Sequence, residues 1–150
     1  MKIFCDTNIV MEFLLQRQFA DQVSRIISNS LENDDELLIS FGSFYTITYL
    51  TERYLKNDHS LSKVERIERL RLILNSVLDT FRLADQFSSS LNEGVNDQSF
   101  DDLEDSYQAH VAEEAECNIL LTINDRHFAN YSKMSSVKVK TPVDFIREFL

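Results

Sequence analysis

Short apolar bursts of strand length alternate with longer stretches of helical periodicity along this sequence, and that alternation restricts its fold more than any other feature. "KIFC" at 2–5 is followed by Ile9, Val10, Phe13 and Leu14 at helical spacing, then by Phe19, Val23, Ile26, Ile27 and Leu31 in a second helix. "LLIS" at 37–40 is again strand-length. Phe44, Ile47, Leu50 and Tyr54 mark a helix over 43–55, and Leu61, Val64, Ile67, Leu70, Leu74 and Val77 mark another with charges on its opposite face. "TFRL" at 80–83 is a third strand, with a weak helix over 84–91. The polar stretch "SLNEGVNDQSFDD" reads as a loop within the domain. Asp101 with Glu104 fits a capping-box variant opening a helix at 102–116. "NILLT" at 118–122 is a buried strand, "NDRHF" a turn or short helix, "VKVKT" at 137–141 a last strand, and Pro142 opens a closing helix.

Strands alternating with helices imply a three-layer α/β/α sandwich around a central parallel sheet of about five strands, joined by right-handed crossovers. Only two glycines and one proline among 150 residues argue against a β-sandwich, which needs many tight turns. With 43% hydrophobic residues, the chain has the apolar content for one core, so residues 1–150 are expected to form a single domain. No apolar run approaches the roughly 18 residues that span a bilayer, and "MKIFCD" carries no export signal, so a cytosolic protein without a membrane partner is expected. Cys5 and Cys117 lie in apolar stretches outside any CxxC or zinc-like pattern, as reduced core thiols do. The formal charge of −10 supplies no long-range field to gather nucleic acid; such a substrate must be held locally or presented by a basic partner.

In a parallel sheet the strand ends and the N-termini of the crossover helices share one edge, where ligands bind. Asp6 follows the first strand, Ser43 and Thr46 follow the second, Asp102 and Asp105 open the 102–116 helix, and Thr122, Asn124 and Asp125 follow "NILLT". Asp102, Asp105, Ala109 and Ala112 share one helix face, where the small alanines let Asp105 sit close to the sheet. Carboxylates converging in a partly buried pocket repel unless one protonates or a cation joins them, and hard oxygen donors suit Mg²⁺ or Mn²⁺. Metal-dependent phosphodiester hydrolysis is the chemistry that follows.

With "IFCDTNIVMEFLL", "ISFGSFYTITYLTERYL", "DLEDSYQAHVAEEAECNILLTINDRHF" and "VKVKTPVDFIREFL" in this order, the sequence resembles the PIN-domain family, and within it the small toxin-like endoribonucleases of the VapC type. The resemblance implies Asp6 and Asp105 as metal-binding acids, with Asn8 as the polar neighbour in the "DTN" turn. It implies a catalytic position at Asn124, where many relatives carry another acid, with Asp125 beside it as a further metal ligand. Thr46 stands where many relatives carry a glutamate, and Asp102 and Thr122 are supporting residues. The implied partners are an RNA substrate, a small antitoxin protein and, as in many relatives, a second copy of the chain. The departures at Thr46 and Asn124 keep an alternative in view, a degenerate PIN module that binds RNA or protein without cutting. His127 is expected to pack or solvate near its turn, Glu12 to be solvated, and the cations Arg53, Lys56, Lys63, Arg66, Arg69 and Arg71 to be salt-bridged with interleaved acids.

Overall fold

The three apolar bursts in the middle of the sheet are buried on both of their faces, as strands of a parallel sheet must be. The computed structural model describes residues 1–150. Strands β1 (Lys2–Cys5), β2 (Glu36–Ile39), β3 (Arg82–Leu83), β4 (Ile119–Leu121) and β5 (Lys138–Lys140) form one parallel sheet in the order β3-β2-β1-β4-β5. Phe4 pairs with Leu38 on one side and Leu120 on the other, so these three side chains share a face. Their neighbours Ile3, Cys5, Leu37, Ile39, Ile119 and Leu121 point to the opposite face.

That opposite face carries the larger core, where α1 (Thr7–Leu14), α2 (Ala20–Glu32), α3 (Phe41–Lys56), α4 (Lys63–Thr80) and α7 (Pro142–Phe149) deliver Val10, Ile26, Ile47, Val77 and Phe145. The Phe4 face is covered by α6 (Leu103–Glu114), through Ala109, Val111 and Ala112, and by the aromatic trio Phe100, Phe128 and Tyr131. This is the expected three-layer sandwich. No helix is long and apolar enough to cross a membrane.

Three local expectations are corrected. The "SLNEGVNDQSFDD" stretch is not all loop, because α5 (Ser88–Asn96) runs through its first half and the helix expected over 84–91 begins later. Packing on α6 holds this polar, glycine-containing segment helical: Ser106 donates to the Gly94 carbonyl at 2.8 Å, and Tyr107 lies against the bare Cα. A Cβ on Gly94 would meet Tyr107 Cδ1 at 2.8 Å and its Cα at 3.4 Å. Gly94→Ala should therefore lose about 1–2 kcal/mol despite alanine's better helix propensity, and a thermal melt should fall by roughly 3–6 °C. An unchanged or higher melting temperature would contradict this packing.

The second correction is at the start of α6, where the cap is Asp102 and not Asp101; its carboxylate accepts from the Glu104 amide at 2.8 Å. The third is Glu12, which is buried and accepts from the Phe19 amide at 2.8 Å, closing the turn that leads into α2. Neither glycine takes a left-handed turn. Gln16, Asp34 and Glu116, just past the ends of α1, α2 and α6, carry positive φ instead.

Candidate active site

The sheet order reverses between β1 and β4, since the chain builds outward to β2 and β3 before returning to the other side of β1. A crevice opens at such a point, beyond the carboxyl ends of the strands. Asp6 leaves β1 there, its amide donating to the Leu121 carbonyl at 3.0 Å, and Thr122 leaves β4 beside it.

Asp6 is only 2% exposed and occupies the N-cap position of α1, yet its side chain makes no capping bond. Its carboxylate accepts from the buried Thr122 hydroxyl at 2.9 Å. Burial pushes the Asp6 pKa up to about 6, against the Thr122 bond, with the charges of Asp105 and Glu104 adding to the rise. Asp105 is 7% exposed and accepts from His127 Nδ1 at 2.7 Å. Burial raises this carboxyl as well, against the His127 bond and with the charge of Asp102 adding.

These groups line a pocket of about 140 Å³ that holds Asp6, Asp105, Glu104, Asn124, Thr46 and His127 among its walls and no Lys or Arg. Asn8 and Asp102 also line it. Thr122 stands behind Asp6. Asp125 is exposed at the start of a 3₁₀ turn, Asp125–Phe128, and does not line the pocket.

A buried hydroxyl and amide network braces one side. Thr7 donates to Ser43 at 2.9 Å, Gln108 donates to Ser43 at 2.7 Å and to Thr7 at 3.1 Å, and Ser40 donates to the Gln108 carbonyl at 3.1 Å. Helices α1, α3 and α6 are thus tied together where the pocket opens. Thr122→Val keeps the shape of its site but removes the bond to Asp6. Stability at neutral pH should fall by about 1–3 kcal/mol, read as a lower urea midpoint with an unchanged slope. A midpoint equal to that of the parent would mean that the Thr122 bond does not support the Asp6 charge.

The sequence left four participants unassigned. His127, expected to pack or solvate, instead holds Asp105; Glu104, expected only as part of a helix cap, lines the pocket, and Gln108 and Thr7 carry no sequence expectation. Gln108 had a signal, since it is the one long polar side chain between Asp105 and Ala112 on the sheet-facing side of α6. His127 had none, because its partner lies 22 residues away. The salt-bridged basic surface is realised only at Lys56–Glu52, 3.3 Å apart, while Arg53, Lys63, Arg66, Arg69 and Arg71 form no ion pair.

No three His, Cys, Asp or Glu side chains are disposed to enclose an ion by themselves. The donor chemistry nevertheless fits Mg²⁺ or Mn²⁺. Such hard ions take one or two carboxylates and keep several waters, and the pocket concentrates negative charge with no cationic side chain from Lys or Arg to balance it.

A family model described as PIN domain matches residues 2–126. The chain belongs to the PIN-domain family. PIN domains are in general nucleases. Among solved structures, this PIN domain is similar to VapBC2 from Rickettsia felis bound to a DNA fragment from its promoter, at 14% identity over 94% of this chain and 98% of that chain, with a TM-score of 0.62. It is similar to VapBC-1 from nontypeable Haemophilus influenzae at 14% identity over 95% and 99% of the two chains, with a TM-score of 0.61. FitAcB from Neisseria gonorrhoeae gives 18% identity over 94% and 98%, with a TM-score of 0.57. At these identities the likeness is one of fold. The sequence matches none of the curated proteins.

Proposed function

We propose that this PIN domain is a Mg²⁺- or Mn²⁺-dependent endoribonuclease and the toxin half of a toxin–antitoxin pair. The observation that carries the reading is the buried Asp6 carboxylate at the sheet's reversal point, beside a second buried acid and with no Lys or Arg lining the pocket. Asp6 and Asp105 would hold the cation, with Asn124 offering a carbonyl oxygen; Glu104 and Asp102 are further acids within the same pocket. The chemistry that a cation supplies there is polarisation of a phosphoryl group toward attack by water. Thr122 orients Asp6, His127 orients Asp105, and Asn8, Thr46 and Asp102 shape the pocket that receives the phosphodiester.

The VapBC and FitAB complexes among the structural relatives support a small antitoxin as partner. An arginine from that partner pairing with Asp6 and Asp105 would block the site by occupying the cation's place. Residues 1–150 act in this reading as one unit in the cytosol, alone or as a homodimer.

The test is cleavage of single-stranded and structured RNA by purified protein freed of partners. Cutting with Mg²⁺ or Mn²⁺ that stops on chelation is the expected result, and RNA left intact with either ion would overturn the reading. One observation favours a second reading. Thr46 and Asn124 line the pocket where many relatives carry acids, so the chain would bind RNA or protein without cutting. RNA binding that ignores a chelator, with no Mn²⁺ binding, would decide for it.

A further inference from the structure

Beside the acid pocket lies a second cavity of about 370 Å³, lined by Ser99, Asp101, Asp102, Arg126, His127 and Asn130 without a single apolar residue. Asp102 and His127 line both cavities, so the two share a wall. Arg126 is the one Lys or Arg lining either of them. It is exposed, and its guanidinium forms no ion pair although Asp101, Asp102 and Asp125 stand near.

We propose that this cleft is a phosphate subsite, which receives the backbone phosphate of the RNA nucleotide next to the one held in the acid pocket, with Arg126 as its contact. The inference rests on the ribonuclease reading. A chain of net charge −10 repels a polyanion, and the pocket adds four carboxylates, so the substrate needs a cation close to the site. A guanidinium grips a phosphate through two parallel hydrogen bonds, which suits an unpaired arginine at a pocket rim. The ligand is backbone and not base, because the walls carry no Phe, Tyr, Trp or aliphatic residue, and their one ring, the imidazole of His127, is tied to Asp105 at 2.7 Å. On the acidic wall, one Asp102 oxygen is already engaged by the amides of Glu104 and Asp105, at 2.8 and 3.3 Å. The Ser99 hydroxyl is turned to Asp97 at 2.6 Å and His127 Nδ1 to Asp105 at 2.7 Å, which leaves the Arg126 guanidinium and the Asn130 amide as the uncommitted donors among the lining residues.

The experiment measures anisotropy of a short, labelled single-stranded RNA on the full chain across a KCl series, with Ca²⁺ replacing Mg²⁺ to suppress cutting. Arg126→Ala should weaken binding about tenfold at low salt and reduce the salt slope by roughly 0.7, as loss of one phosphate contact does on a single strand. Arg126→Lys should restore the slope but only part of the affinity. Affinity for Mn²⁺ alone should match that of the parent. Unchanged affinity and slope in Arg126→Ala would overturn the subsite, as would a parallel loss of Mn²⁺ binding. If the parent binds RNA with the predicted Arg126 dependence yet never cuts it, the subsite stands and the ribonuclease reading falls. Cutting that is as fast in Arg126→Ala as in the parent removes the subsite alone, and a parent that neither binds nor cuts RNA overturns both.

Discussion

Asp6→Asn is expected to lower RNA cleavage roughly a thousandfold, the loss typical of removing a group that organises charge at a reacting centre. The substitution preserves shape. Its carbonyl oxygen can still accept from Thr122, and the backbone bond to Leu121 is untouched. What disappears is the charge at the crevice between β1 and β4, where Asp105 and Glu104 are its nearest acidic influences. Initial rates over a Mg²⁺ series check this, and the deficit should persist at the highest concentration. A variant restored to parental rates by ordinary Mg²⁺ would mean that Asp6 is dispensable to the reaction.

The same variant should be the more stable protein when metal is removed. Burial first, and then the charges of Asp105 and Glu104, lift the Asp6 pKa from 3.8 to about 6, so the folded state holds this proton more tightly than the unfolded chain does. The sign follows from that order. The stabilisation belonging to the protonated form is complete below the unfolded value and is lost as pH rises through about 6. Above that pH the ionised carboxylate costs on the order of 3 kcal/mol, a penalty that asparagine does not carry. In chelator, urea unfolding should favour Asp6→Asn by up to that amount near about pH 7, and the gap should close near about pH 4. Equal gaps at both pH values, or a less stable variant at neutral pH, would contradict the burial argument. Added Mn²⁺ should then stabilise the parent and leave the variant unmoved. Activity and stability are thus opposed at this residue, which is expected where a charge is buried for chemistry and not for folding.

The central sheet was legible because its inner strands announce themselves. "KIFC", "LLIS" and "NILLT" are short, apolar on both faces and bounded by polar residues, and each became a parallel strand at the expected place. Helix α5 is legible only at its start, where the weak helix expected over 84–91 overlaps it. The rest of Ser88–Asn96 is polar and carries Gly94, so little local favours a helix there, and it is packing against Tyr107 and Ser106 of α6 that holds one. Within the site, Asp6 and Asp105 stand out from position alone, one at a strand end and the other at the head of a helix whose inner face is small. The partners that orient them differ in kind. Thr122 directly follows a strand and could be placed at the same edge, whereas His127 meets Asp105 only after the chain has passed through β4 and turned back across the edge. Asp125, adjacent in sequence to Asn124, is carried out to solvent as the 3₁₀ turn buries Phe128 against Phe100. One residue of register in that turn separates a pocket wall from the surface.

The central claim is that the Asp6–Asp105 pocket holds a divalent cation, and a calorimetric titration of the metal-free chain with Mn²⁺ tests it most directly. The parent should bind with modest affinity, as a site built from two buried carboxylates, an amide and water would, and Asp6→Asn should give no binding heat above dilution. Silence from the parent, or an identical isotherm from Asp6→Asn, would contradict the claim.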